Sequence, residues 1–183
     1  PKKNYRYIGP LTRFSIIVSK PTPFDLSARE DTLLFLLSGP EPQRTIFEDL
    51  ILRELKLYPV PALILRGQPG QPHRSEPLPG VIMINHMDDE KLAEVIRSSS
   101  VIVSRGGYST LCDLAMSSKK LICVPTPGQT EQEYLADYHM KRGQMVSMRQ
   151  EKFSLEEALN MSVVMQPFYL RGDSRLKAAI NEL

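Results

Sequence analysis

The chain has 183 residues, of which 42% are hydrophobic and 24% charged, and its formal net charge is +2. This length suits one domain with a sizeable core, and so small a positive charge argues against nucleic acid as a partner. Apolar runs stay shorter than the roughly 18 residues that a membrane-spanning helix needs, and no segment has the pattern of a signal peptide. Two cysteines, Cys112 and Cys123, lie within predicted elements, which favours buried free thiols in a reducing compartment.

Strands and helices alternate after a basic, turn-rich start at residues 1–14. Because the chain opens with proline instead of methionine, we expect it to be a piece of a longer protein. After a short apolar run at 15–19, the predicted strands are 32–37, 62–65, 81–84, 101–103, 121–124 and 145–148. The predicted helices are 44–58, 88–97, 109–117, 130–143, one capped by Ser154 with Glu157 three residues on, and a last one from 173 to the end. Residues 67–80 hold four of the 15 prolines and predict a surface loop.

This alternation predicts a Rossmann-like α/β fold with a doubly wound parallel sheet of about six strands. In such a fold, ligands bind outside the carboxyl ends of the strands, near the point where the strand order reverses. The turns at Ser38, Met87, Gly106 and Pro127 each follow a predicted strand. We therefore expect these turns to converge on one crevice.

The stretch VIVSRGGYSTLCD at 101–113 has the pattern of a strand, a glycine turn and a helix start. Gly106 and Gly107 would let the backbone approach a ligand, and the free N–H groups of the first helical turn suit a phosphate. Ser109 and Thr110 can cap the helix or donate to phosphate oxygens, and Asp113, one turn on, can reach ribose hydroxyls. The alternative is a tight turn that serves chain geometry alone, since the pattern is neither a Walker A nor a G-x-G-x-x-G motif.

Two motifs in this order, SRGGYSTLCDLA and VPTPGQTEQEYLA, resemble the C-terminal, donor-binding domain of GT-B glycosyltransferases of family 28. The best-known member of that family is the UDP-N-acetylglucosamine transferase of peptidoglycan synthesis. The resemblance runs from the linker at 9–13 to about Gly143. It implies an interdomain linker at 1–14 and a nucleotide-sugar-binding domain at 15–183, the C-terminal half of a GT-B enzyme.

The resemblance also implies which residues bind the donor. Those expected at the nucleotide and its phosphates are Arg13, Ser38, Gly39, His86, Met87, Gly106, Gly107, Tyr108, Ser109, Thr110 and Asp113. Those expected at the donor sugar are Gln129, Gln132 and Glu133. The chain departs from the family in carrying Asp113 where Glu is more frequent, and in Pro40, which has no N–H for a phosphate.

Several of these residues also have structural explanations. His86 can be a surface residue, Tyr108 a hydrophobic staple, and Glu131 and Glu133 partners of a helix dipole. Gln132 has no comparable structural reason. For Arg105 we expect a structural ion pair with Asp88 or Asp89 in preference to phosphate binding.

The function expected from the resemblance is transfer of a sugar from a UDP-sugar to an acceptor hydroxyl, in the cytoplasm, without a metal or other cofactor. The acceptor site and the general base would lie on an N-terminal domain absent from this chain, and neither His73 nor His139 is well placed to act as the base. The resemblance allows peripheral membrane association through that absent domain. Two alternatives stay open: a UDP-sugar hydrolase or 2-epimerase on the same scaffold, and a stand-alone donor-binding subunit of a split transferase.

Overall fold

A seven-stranded sheet forms the centre of the computed structural model, which describes residues 9–16, 32–70, 74–115 and 117–170. The strands are β1 (Leu33–Leu36), β2 (Ala62–Leu65), β3 (Arg74–Leu78), β4 (Val81–Ile84), β5 (Val101–Ser104), β6 (Lys120–Cys123) and β7 (Val146–Ser147). The helices are α1 (Gln43–Leu57), α2 (Asp89–Ser98), α3 (Tyr108–Leu114), α4 (Thr130–Met140) and α5 (Leu155–Ser162), with 3-10 turns at Arg13–Ile16 and Gln150–Lys152.

The strand order is β3-β4-β2-β1-β5-β6-β7, and every neighbouring pair except β3 with β4 is parallel. If only the six parallel strands are counted in chain order, their sequence across the sheet is 3-2-1-4-5-6, the Rossmann arrangement. The predicted fold class is therefore confirmed. The order reverses between β1 and β5, which places the expected crevice at the carboxyl ends of those two strands.

Alternating side chains on the central strands build a core on each face of the sheet. Leu33 and Phe35 of β1 pack on one face with residues of α1 and α5. Leu34, between them, packs on the other face with residues of α2, α3 and α4. Because both faces are covered, the central strands are apolar at nearly every position, which is why short continuous apolar runs located them correctly in the sequence.

The predicted surface loop at 67–80 is wrong in its second half, where Arg74–Leu78 forms β3. This strand pairs antiparallel with β4 at the edge of the sheet, with a shift of register between Ser75 and Leu78. Proline is tolerated in an edge strand because an N–H that faces away from the sheet is not needed. Pro77 is therefore compatible with β3, although the proline-rich composition of residues 67–80 predicted a loop.

Helix ends differ slightly from prediction. Helix α3 ends at Leu114, three residues before the predicted 117, and α4 ends at Met140 instead of near Gly143. Gly143, with φ of +67°, closes the turn after α4 and donates its N–H to the Met140 carbonyl at 2.9 Å.

The predicted last helix from 173 lies outside the described residues, as do most of the apolar run at 15–19 and His73. Within the described ranges, no helix is both long and apolar enough to cross a membrane.

Both cysteines are free and buried, so we predict that a thiol reagent at pH 8 labels neither Cys112 nor Cys123 in the folded chain. Burial raises the pKa of the Cys123 thiol to about 12, against which the neighbouring Arg105 cation has a smaller, opposite effect. The reactive thiolate is therefore scarce at Cys123. Labelling followed by mass spectrometry should give no modification before unfolding and two modified cysteines in denaturant. Rapid labelling of the native chain would contradict this placement.

Candidate functional site

A cleft of about 170 Å³ lies at the carboxyl ends of β1, β2 and β4. Six of the residues predicted to bind the nucleotide line it: Arg13, Ser38, His86, Met87, Thr110 and Asp113. Its walls are completed by apolar side chains, among them Phe14, Leu36 and Leu65. The volume is below the roughly 300 Å³ at which pockets begin to enclose a drug-sized ligand. The cleft therefore suits part of a nucleotide, with the rest of the ligand outside it.

A second cavity, of about 630 Å³, lies at the ends of β6 and β7. The loop after β6 contributes Pro127 and Gly128, and α4 contributes Glu133 and Asp137. Since β5 stands between β1 and β6 in the sheet, the glycine turn that follows β5 lies between the two cavities along this edge. The glycine turn therefore lies between the cleft that contains His86 and Met87, predicted to contact the nucleotide, and the cavity that contains Glu133, predicted to contact the donor sugar.

The two glycines of the turn have different reasons to be glycine. Gly106 has a φ of +71°, and a Cβ there would stand 2.3 Å from the Cys123 sulfur. Gly107, the N-cap of α3, has an ordinary φ of −61°, and a Cβ there would meet nothing within 4 Å. The fold thus explains Gly106 and leaves open space over Gly107. Because Gly107 is the N-cap residue, capping is excluded as the role of Ser109 and Thr110, and donation to phosphate oxygens stays a prediction.

Arg105, directly before these glycines, is buried with only 1% of its surface exposed. Its guanidinium donates to the carbonyls of Gln43 at 2.7 Å and Val124 at 3.2 Å, and lies 4.0 Å from the centre of the Phe47 ring. Burial lowers its pKa to about 10, so it stays charged at neutral pH. It ties the start of α1 to the ends of β5 and β6.

The expected ion pair between Arg105 and Asp88 or Asp89 is therefore wrong. Asp88 instead caps α2 through the Lys91 N–H and pairs with the Lys91 ammonium at 2.7 Å. Asp89 pairs with Arg13 at 2.9 Å. The spacing of charges along the sequence could not distinguish these partners, because the Arg13–Asp89 contact spans 76 residues.

A second buried network holds the other side of the crevice. Glu48 of α1, with 7% of its surface exposed, accepts from Arg44 at 2.8 Å and from Arg66 at 2.8 and 2.9 Å. Arg66, which follows β2, also donates to the Asn85 side chain after β4 at 3.0 Å. The carboxyl ends of β2 and β4 are thereby fastened to α1.

Asp113 binds two residues of the predicted linker, Thr12 and Arg13. Its Oδ1 accepts from the Thr12 hydroxyl at 2.9 Å and from the Arg13 N–H at 3.2 Å. Its Oδ2 accepts from Arg13 Nε at 2.9 Å. Only 12% of the Asp113 side chain is exposed, so the carboxylate is largely buried. The sequence located Arg13 and Asp113 but gave no signal that they touch, or that Thr12 and Asp89 join them.

The loop before α4 is held by two side chains of that helix. The Thr126 N–H donates to Gln132 Oε1 at 2.9 Å, and the Gly128 N–H donates to Glu133 Oε1 at 3.1 Å. Gln132 thus has the structural reason that the sequence did not suggest. Gln129 is the exposed N-cap residue of α4 and makes no capping hydrogen bond with its side chain.

The remaining predicted residues differ in exposure. Ser38, Gly39, His86, Tyr108 and Ser109 are exposed, while Met87 is buried in the core beside α2. The sequence missed Gly67, another cleft residue, whose φ is +66° and whose Cβ would stand 2.6 Å from the Leu37 carbonyl oxygen. Among the described residues, no three His, Cys, Asp or Glu side chains group to hold a metal.

Comparison with known families decides the class of this domain. Residues 77–175, which are 99 of the 183, match the glycosyltransferase family 28 C-terminal domain. The chain belongs to this family. The match includes the glycine turn, α3 and α4, so the resemblance inferred from the two motifs is confirmed.

Individual relatives are distant and longer. An uncharacterised glycosyltransferase of Methanopyrus kandleri is 30% identical over 77 residues, which are 40% of this chain and 22% of that protein. The glycotransferase of kitacinnamycin aligns at a TM-score of 0.64 with 17% identity, over 89% of this chain and 41% of its own. MurG of Acinetobacter baumannii aligns at 0.59 with 15% identity, over 86% of this chain and 51% of its own. These structures show the shared fold, the C-terminal half of a GT-B glycosyltransferase, and this chain spans about half or less of each relative.

We predict unequal effects on stability for alanine at the two glycines. Gly106→Ala combines a left-handed backbone with a clash against Cys123 and should lower the free energy of unfolding by about 2 to 4 kcal/mol. Gly107→Ala should change it by less than about 1 kcal/mol, since a poorer cap is offset by a less flexible unfolded chain. Urea denaturation of both variants measures the difference. Equal losses would show that the turn is not packed as described.

Proposed function

We propose that this domain binds the UDP-sugar donor of a glycosyltransferase that transfers the sugar to an acceptor hydroxyl. The observation that carries the proposal is the convergence of six family-implied residues on one cleft at the carboxyl ends of the strands, beside the point where the strand order reverses. Membership of the family supports the same reading. The other half of the enzyme, with the acceptor site and the general base, would be an N-terminal domain joined through the linker.

The parts of the UDP-sugar are placed in order along the carboxyl ends of the strands. The uracil base of the donor lies in the cleft near His86 and Met87, and its diphosphate lies over the open space at Gly107. The sugar extends towards the larger cavity, where Glu133 and Asp137 offer carboxylate acceptors to its hydroxyls. Negative charge that develops on the departing UDP would be stabilised by backbone N–H groups and by the Arg13 cation.

We expect donor binding to need no metal, so that EDTA leaves UDP affinity unchanged. Two free, buried cysteines suit a reducing cytoplasm. We assign peripheral membrane association to the N-terminal domain.

Asp113→Ala should weaken UDP binding by roughly tenfold or more, because a carboxylate that accepts from ribose hydroxyls forms a charge-assisted hydrogen bond. Calorimetric titration with UDP measures the effect. Asp49→Ala, which removes an exposed acid from α1 and leaves the cleft intact, is the matched control. If Asp113→Ala binds UDP like the parent chain, the ribose contact is wrong. If the parent binds neither UDP nor UDP-N-acetylglucosamine, the proposed donor is wrong for this domain.

Gln132 variants separate sugar binding from loop support. Gln132→Glu keeps an oxygen for the Thr126 N–H but loses the amide donor, so stability should hold while the extra affinity for UDP-sugar over UDP falls. Gln132→Ala should lose both, with an unfolding free energy lower by about 1 kcal/mol. UDP affinity itself should stay unchanged in Gln132→Glu. Thermal denaturation together with titration of both ligands tests this, and undiminished UDP-sugar affinity in both variants would exclude a sugar contact.

A further inference from the structure

We propose that Asp113 and Asp89 form a seat for the interdomain linker, and that the nucleotide must displace the linker from this seat in order to bind. The linker residues Thr12 and Arg13 hold the Asp113 carboxylate from both of its oxygens, at 2.9 to 3.2 Å. Arg13 also lines the cleft in which the nucleotide is placed. This inference rests on the proposed function and concerns the regulation of the same site.

Counting acceptor positions on Asp113 shows why the two partners compete. A carboxylate offers about four lone-pair positions, and the linker already occupies three of them. A ribose diol donates two hydrogen bonds, so it cannot be fully accepted unless at least one linker donor leaves. Only 12% of the Asp113 side chain is exposed, so little of the carboxylate is open to a ligand while Thr12 and Arg13 are bound to it.

Asp89 belongs to the linker-bound state alone. Its Oδ1 accepts from Arg13 Nη1 at 2.9 Å, while Arg13 Nε donates to Asp113, so one guanidinium bridges the start of α2 and the C-terminal end of α3. Thr12 strengthens the docked turn, because its oxygen accepts the Phe14 N–H at 3.1 Å while its hydroxyl donates to Asp113. When the ligand takes Asp113, Arg13 is released from both carboxylates of the seat. Nucleotide binding would then loosen the segment that joins the two halves of the enzyme.

Limited trypsin digestion of the ligand-free 183-residue chain tests the seat, because trypsin cleaves after Arg13. Asp89→Asn should speed cleavage of the Arg13–Phe14 bond, identified by mass spectrometry, relative to the parent chain. Asp88→Asn is the matched control: it removes the same charge one residue away, and Asn still caps α2, but it touches no linker residue in the contacts described. Equal cleavage rates in the two variants would overturn the seat.

UDP tests the displacement. Adding UDP to the parent chain should speed cleavage after Arg13, and Asp89→Asn should bind UDP about two- to fivefold more tightly than Asp88→Asn, the range that an exposed ion pair allows. If calorimetry shows that UDP binds while cleavage slows or stays constant, linker and nucleotide share Asp113 and the displacement is wrong. If UDP does not bind at all, the proposed function fails for this domain and the displacement fails with it, while the ligand-free digestion still decides whether the seat exists.

Discussion

The buried guanidinium of Arg105 is the contact on which the geometry of the crevice depends. Removing a charge from water costs several kcal/mol, and here it is offset by backbone carbonyls and an aromatic face, with no carboxylate among the contacts described. Those carbonyls belong to the start of α1 and to the chain just after β6, while Arg105 itself follows β5. One side chain therefore fixes three segments, the start of α1 and the ends of β5 and β6, where they meet at the carboxyl ends of the strands. The glycine turn begins at the next residue, Gly106.

The fold was predictable because its signals are local. A strand covered on both faces is a short apolar run, and the runs at 62–65 and 81–84 coincide with β2 and β4. Helix starts carry their own chemistry, as Asp88 and Ser154 show by capping α2 and α5 with their side chains. The edge strand β3 was not predicted, because an edge strand tolerates the composition of a loop, including a proline such as Pro77.

The residues of the site were partly predictable, but their partners were not. Motif positions identified Arg13 and Asp113 from the family resemblance, and the fold brings both into one cleft. That Asp113 accepts from Arg13 depends on a contact across 100 residues, which no local pattern encodes. The same limit explains the wrong partner for Arg105: an ion pair with a carboxylate was expected, whereas the folded chain offers carbonyl oxygens. Buried Glu48 is a further case, since its second arginine lies 18 residues away on another element.

The edges of the sheet have a consequence for how the domain behaves among its own copies. An open edge can recruit a strand from another molecule and begin aggregation. Among the described strands, β7 offers only two residues for such pairing. The opposite edge, β3, combines a broken register, Pro77 and the exposed charges of Arg74 and Glu76. Both edge strands are thus poor templates for a strand of another molecule. Parallel sheets fold slowly and are exposed to aggregation while they fold. The two edges therefore disfavour growth of the sheet from one molecule to the next.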